Sequence, residues 1–189
     1  MRRLFFALWP DAEQRSALER AAREAVRTCG GRPTPGASLH LTLAFLGAVP
    51  EARSQELSGI ARCLAAGFSP EAAPLELTLD RLAHWPKPGV LAVLAHEETR
   101  SAALLDARAL AEKLTSETIA AGFGPDLKPF CAHVTVARKV ARAPRSLEIG
   151  TVRWTFDAFA LLESRTLAEG PVYSIVESFV LGGAGKVRT

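Results

Sequence analysis

Leu39-His40-Leu41-Thr42-Leu43-Ala44-Phe45-Leu46-Gly47 and Phe130-Cys131-Ala132-His133-Val134-Thr135-Val136-Ala137-Arg138 are the two stretches whose reading decides the fold. Each places a histidine, an aliphatic residue, a threonine and a second aliphatic residue in succession, the alternation of a half-buried strand. In a strand, residues i and i+2 project from one face about 6.8 Å apart. His40 and Thr42 therefore share a face, as do His133 and Thr135, while Leu41, Leu43, Val134 and Val136 turn to a core. One such histidine is ordinarily a hydrogen-bonded structural residue. Two, each with threonine at the same offset, ask for a joint explanation.

Working outward, the first motif lies between a strand at Leu4 to Trp9, closed by Pro10, and a helix after Pro50 with Leu57, Ile60, Ala61 and Leu64 on one face. Asp11 is placed to cap an earlier helix striped by Leu18, Ala22, Ala25, Val26 and Cys29 and stopped by Gly30-Gly31. Arg32 to Ala37 reads as a Pro/Gly loop, and Leu75 to Leu82 as a strand. The order then begins again. Val90 to Ala95 is a strand. Thr99 is placed to cap a helix running to about Ala121, with Leu104, Ala107, Ala111 and Leu114 along it. Phe130 to Arg138 is a strand, a basic loop follows, and strands are expected at Trp154 to Leu162 and Val172 to Leu181. The chain thus reads as one α+β domain over residues 1–189, with half-repeats of about 1–84 and 88–165 and a closing strand at about 172–181.

Composition narrows the classes. Hydrophobic residues make up 48% and charged residues 23% of 189, ordinary for a globular protein and wrong for a disordered one. No apolar run is long enough to span a membrane, and Arg2-Arg3 with Leu4 to Trp9 is interrupted by Pro10-Asp11 too early for a signal peptide. Three scattered cysteines, Cys29, Cys63 and Cys131, exclude a disulfide framework and a cysteine-rich zinc site and suit a cytoplasmic location. A net charge of +3 permits an anionic partner without demanding one.

Paired histidines suit phosphoryl transfer without a metal or other cofactor. In-line displacement sets the attacking and leaving oxygens at opposite apices of phosphorus. One imidazole takes a proton from the nucleophile, the other gives one to the leaving oxygen, and threonine hydroxyls donate to the oxygens between. His40 and His133 are the candidate catalytic pair, with Thr42 and Thr135 as candidate phosphate binders. Together with the opening Arg3-Leu4-Phe5-Phe6-Ala7-Leu8 and the closing Tyr173 to Gly182, these motifs resemble the two-histidine (2H) phosphoesterase superfamily, and within it the RNA 2′,3′-cyclic phosphodiesterases, historically also called 2′-5′ RNA ligases. The resemblance implies two pseudo-symmetric lobes, each an antiparallel sheet with helices outside, facing each other across a cleft. It implies hydrolysis of an RNA terminal 2′,3′-cyclic phosphate to a 2′-phosphate, with His40 as proton donor and His133 as acceptor. Where family members often carry Pro before the second histidine, this chain has Cys131-Ala132.

Other residues carry weaker expectations. Arg138 is a candidate substrate contact, although strict alternation turns it away from His133 unless a bulge intervenes. Lys128, Lys139, Arg142 and Arg145 are candidates for a basic rim, and Phe6, Phe45, Trp85 and Phe130 for base stacking. His84 and His96 lack a threonine partner and read as structural or exposed. Cys131 reads as a small hydrophobe rather than a nucleophile, and Gly182 to Lys186 lacks the spacing of a phosphate loop. Substrates in view are RNA 3′ ends or a small nucleotide such as a cyclic phosphate of ADP-ribose, with an RNA-end-binding module and weak 2′-5′ ligation as alternatives. A monomer that does not engage membranes is expected.

Overall fold

The computed structural model describes residues 1–69, 74–95, 102–167 and 170–182, with side chains from 107 onward in the third helix. Thr99, His96 and the side chain of Leu104 lie outside the described residues, as does most of Gly182 to Lys186. In chain order the strands are β1 (Arg2–Leu8), β2 (Arg32–Pro33), β3 (Leu41–Val49), β4 (Leu75–Trp85), β5 (Val90–Ala95), β6 (His133–Arg138), β7 (Glu148–Phe156), β8 (Ala158–Leu167) and β9 (Gly170–Val180). The helices are α1 (Ala12–Thr28), α2 (Ser54–Ala66) and α3 (Ala102–Ala120). Asp11 caps α1 as expected, its carboxylate accepting from the Gln14 amide at 2.8 Å. Helix α1 packs against β7 and β6, and Trp154 of β7 donates its indole N–H to the Gln14 carbonyl at 2.9 Å. Helix α3 packs on β3, β4 and α2.

Every strand pairing is antiparallel, and the main sheet order is β7-β4-β5-β6-β3-β1-β8-β9, with β2 joining β6 from the side. About the β6–β3 joint this order is symmetric: β6 answers β3, β5 answers β1, β4 answers β8 and β7 answers β9. Two four-stranded lobes result, and the sequence halves exchange strands to make them. Strand β4, from the first half, completes the lobe of β5 and β6, while β8 and β9 complete the lobe of β1 and β3.

That exchange corrects one expectation. Trp154 to Leu162 is not one strand: β7 ends at Phe156, β8 starts at Ala158, and the Asp157 carbonyl between them accepts the Leu181 amide at 2.8 Å. The run is apolar on both sides of the break because both segments are buried, but they pair in different lobes, β7 with β4 and β8 with β1. Likewise the second motif's strand begins at His133, not Phe130.

Strand β1 carries two cores, one on each face. Leu4, Phe6 and Leu8 join the main core beneath the helices. Phe5 and Ala7 form a smaller cluster with Ala160 and Leu162, flanked by Trp9, Phe45 and Tyr173. The first core holds the lobes together; the second floors the cleft.

Candidate active site

The lobes meet through one paired position, Leu41 opposite Val134. Carrying that antiparallel register one residue outward sets His40 across from Thr135 and His133 across from Thr42. The histidines are then diagonal neighbours, roughly 7–8 Å apart at their Cα atoms. Leu41, Leu43, Val134 and Val136 are buried as alternation requires, and the four polar side chains between them are half-buried. A cavity of about 900 Å³ is lined by His40, Thr42, His133, Thr135 and Arg138, so the structure brings all five expected residues together.

Both rings are held by the same device. His40 Nδ1 lies 2.7 Å from the Ser38 carbonyl, and His133 Nδ1 lies 2.8 Å from the Cys131 carbonyl, each two residues back. A carbonyl only accepts, so each Nδ1 carries hydrogen and donates it. Each Nε2 is thereby the nitrogen left to exchange a proton. This anchoring needs only an extended backbone ahead of the histidine, which Ser38-Leu39 and Cys131-Ala132 both supply.

Arg138 reaches the cleft through a bulge. Ala92 pairs with Thr135 and Leu91 with Ala137, leaving Val136 as an extra residue. The first motif repeats the feature: Ala7 pairs with Thr42 and Phe6 with Ala44, leaving Leu43 extra. In each strand the insertion reverses the alternation. Ala44 and Ala137 turn to the core, while Phe45 and Arg138 return to the cleft. The sixth residue of each motif thus occupies the equivalent place, aromatic in one and cationic in the other.

The walls differ more than the motifs do. Around His40 stand Phe5, with ring centroids 5.1 Å apart, Tyr173 edge-on at 4.9 Å and Trp9 stacked at 5.8 Å. Arg15 lies over the Trp9 ring at 4.3 Å and donates to the Leu39 carbonyl at 3.2 Å. His133 has Trp85 edge-on at 4.9 Å. Burial, first, and then the positive charges of Arg138, His133 and Arg15 push His40 down to about 4 against the opposing pull of the Ser38 carbonyl. Burial also lowers His133, with Arg138 adding to it and the Cys131 carbonyl opposing.

Of the other candidates, Phe45, Trp85, Phe130 and Lys128 line the cavity. Phe6 does not. It is fully buried in the main core against Phe159 and Phe179, because alternation in β1 gives the cleft to Phe5. Lys139, Arg142 and Arg145 are absent from the lining, because Val140, Ala141 and Arg142 tie their loop to Gly89 and to Cys29 at the end of α1. Cys131 is exposed on the cavity wall rather than buried, and its carbonyl is what orients His133. His84 is half-buried outside both cavities. Sequence reasoning did not place Phe5, Trp9 or Tyr173 at the site: Leu4 to Trp9 is apolar throughout, so nothing in it marks the side chains that face the cleft, and Tyr173 entered only as the start of the closing segment. Among the described residues, no group of three or more His, Cys, Asp or Glu side chains is placed to hold a metal ion, and no helix is long and apolar enough to cross a membrane.

Comparison with known proteins agrees with this architecture. Residues 8–92 match the family described as LigT-like phosphoesterase. The RNA 2′,3′-cyclic phosphodiesterase of Thermus thermophilus is 35% identical over 185 residues, covering 96% of this chain and 91% of the relative. The Escherichia coli protein of the same name is 32% identical over 142 residues, covering 75% of this chain and 74% of the relative. The crystal structure of E. coli LigT complexed with NADP+ superposes with a TM-score of 0.77 at 27% identity, over 95% of this chain and 97% of that one. With a relative this similar along nearly its whole length, and the same fold in the solved structure, the chain belongs to the LigT-like, two-histidine phosphoesterases.

Proposed function

We propose that the protein hydrolyses the 2′,3′-cyclic phosphate at RNA 3′ ends to a 2′-phosphomonoester, using His40 and His133 as general acid and base and no metal. The observation that carries this reading is the pair of imidazoles anchored through Nδ1 and related across the Leu41–Val134 joint. Between two free Nε2 atoms a phosphate meets one proton acceptor and one donor at opposite apices, the arrangement in-line displacement needs. One imidazole takes the proton of the attacking water. The other protonates the departing 3′ oxygen, leaving the phosphate on the 2′ oxygen. Thr42, Thr135 and Arg138 supply donors to the charge-bearing oxygens. Relatives named as RNA 2′,3′-cyclic phosphodiesterases support the substrate class.

Family resemblance makes His40 the donor. The surroundings of the resting site favour a second reading, because the aromatic box around His40 makes its imidazolium the harder of the two to form. A bound phosphate anion favours both imidazoliums, so the first assignment requires the substrate itself to charge His40.

Incubation of the protein, in excess chelator, with an RNA ending in a 2′,3′-cyclic phosphate tests the proposal. The expected result is undiminished opening to a 2′-phosphate. A 3′-phosphate product, loss of activity on chelation with rescue by a divalent cation, or binding without turnover would each overturn it.

A further inference from the structure

A second cavity, of about 400 Å³, opens off the cleft beside β1, β8 and β9. It shares His40, Thr42, Phe45 and Tyr173 with the main cavity and adds Arg3, Ser164 and Thr166. The cations on this strand pair are treated differently. Arg2 and Arg165 both bind Glu163, at 3.0 and 3.3 Å, on the face that Leu4 shares. Arg3 faces the cavity and has no carboxylate or hydrogen-bond partner among the described residues. Its guanidinium lies over the Phe45 ring at 4.8 Å. A ring face steadies a guanidinium while leaving its N–H donors free. Beside it, the hydroxyls of Ser164 and Thr166 have no hydrogen-bond partner among the described residues either.

The place of this cation relative to the histidine pair is fixed by register. Phe45 pairs with Phe5, and Phe5 is two residues along β1 from Ala7, the partner of Thr42. Two strand residues span about 6.8 Å, comparable to the separation of neighbouring phosphates along a nucleotide chain. An anion reaching Arg3 is therefore one nucleotide step from a phosphate at Thr42.

We propose that Arg3, with Ser164 and Thr166, forms a subsite for a second phosphate of the substrate, one step from the cyclic phosphate. The inference rests on the functional reading above and deepens it: a substrate with a phosphate beyond the reacting one is preferred to a bare cyclic nucleotide. Free guanidinium donors suit a phosphate bidentately, and the bulge at Leu43 delivers the ring that holds them in place. The second phosphate has two chemical sources, an internucleotide diester of RNA and a phosphate on the 5′ side of a small nucleotide.

Three substrates separate these sources: a nucleoside 2′,3′-cyclic phosphate, the same compound with a 5′-phosphate, and a dinucleotide ending in the cyclic phosphate. Wild-type kcat/KM is expected to rise about tenfold or more with the second phosphate, the factor expected for a charge-assisted hydrogen bond. In Arg3→Gln that ratio should collapse, mostly through KM, because this phosphate does not react. Arg3→Lys should restore part of it. A gain only for the dinucleotide identifies the diester as the anion; a gain for both identifies any phosphate at that distance. No gain from a second phosphate in the wild type, or an equal fall for all three substrates in Arg3→Gln, would overturn the subsite while leaving the functional reading in place. Hydrolysis of none of the three would overturn that reading itself, and the subsite with it. Arg3 is exposed and holds no other element in place, so Arg3→Gln is expected to fold.

Discussion

His40 and His133 begin alike, each ring donating Nδ1–H to the carbonyl two residues back, and end in unlike surroundings. Phe5, Trp9 and Tyr173 enclose the first, whereas Trp85 stands beside the second. Only His40 is pushed as far as about 4. The difference originates outside the motifs. Phe5 and Trp9 come from β1 and the turn after it, and Tyr173 from β9, the edge strand of the same lobe. Equal motifs thus supply equal geometry, while their neighbours set unequal proton affinity. What packs on the rings is what tells the two histidines apart.

The largest expected effect tests that division directly. His40→Ala and His133→Ala should each lower the rate by about 10²–10⁴, and Thr42→Ala or Thr135→Ala by less, since each removes one neutral donor. Against a substrate with a nitrophenolate-like leaving group, which departs without a proton, the variant lacking the acid should recover and the variant lacking the base should not. Recovery of His40→Ala supports the family assignment. Recovery of His133→Ala supports the reading from the aromatic box, and recovery of neither would break the acid–base account.

A smaller effect appears in stability. A histidine whose folded pKa is depressed leaves the unfolded chain binding more protons at low pH. Its penalty is therefore absent above the ordinary 6.5 and grows as pH falls from there toward about 4. The loss is at most about 3 kcal/mol for His40. Denaturant midpoints between pH 7 and 4 should fall more in the wild type than in His40→Gln. Parallel curves would mean that the box does not disfavour the charge. The smallest effect is a tuning one. Trp9→Leu admits water to the ring, so the limb of the kcat/KM profile belonging to His40 should move to higher pH, by under about one unit. The His133 limb should stay; movement of both together would show that the two rings titrate as one unit.

Alternation in two strands was sufficient to expose the histidines and threonines as a set, because Leu41 and Val134 had to be buried between them. The bulges were not readable: Leu43 and Val136 are apolar residues in apolar strands, and an inserted one looks like any other. Strict alternation therefore turned Arg138 away and left Phe45 unplaced. The break at Asp157 was hidden for a related reason, since two strands buried in different lobes read as one apolar run. Phe5 and Phe6 show the same limit, because a strand buried on both faces does not announce which aromatic belongs to the cleft. The Nδ1 anchors depend on backbone carbonyls, which every residue has.

The strand exchange also bears on how the chain folds as it is made. Residues 4–7 of β1 pair with residues 160–163 of β8, so β1 waits for a strand made long after it. Pairings of such long sequence separation carry a large loop-closure cost and form late. Neither lobe can be finished from its own half of the chain: one lacks β8 and β9, the other borrows β4 and needs β7. A nascent chain that has displayed His40 and even His133 still presents β1 with an unpaired edge and leaves His40 without Tyr173. Until β8 is available to cover it, the edge of β1 that β8 pairs in the finished fold is unpaired, and an unpaired edge is open to pairing with the wrong partner.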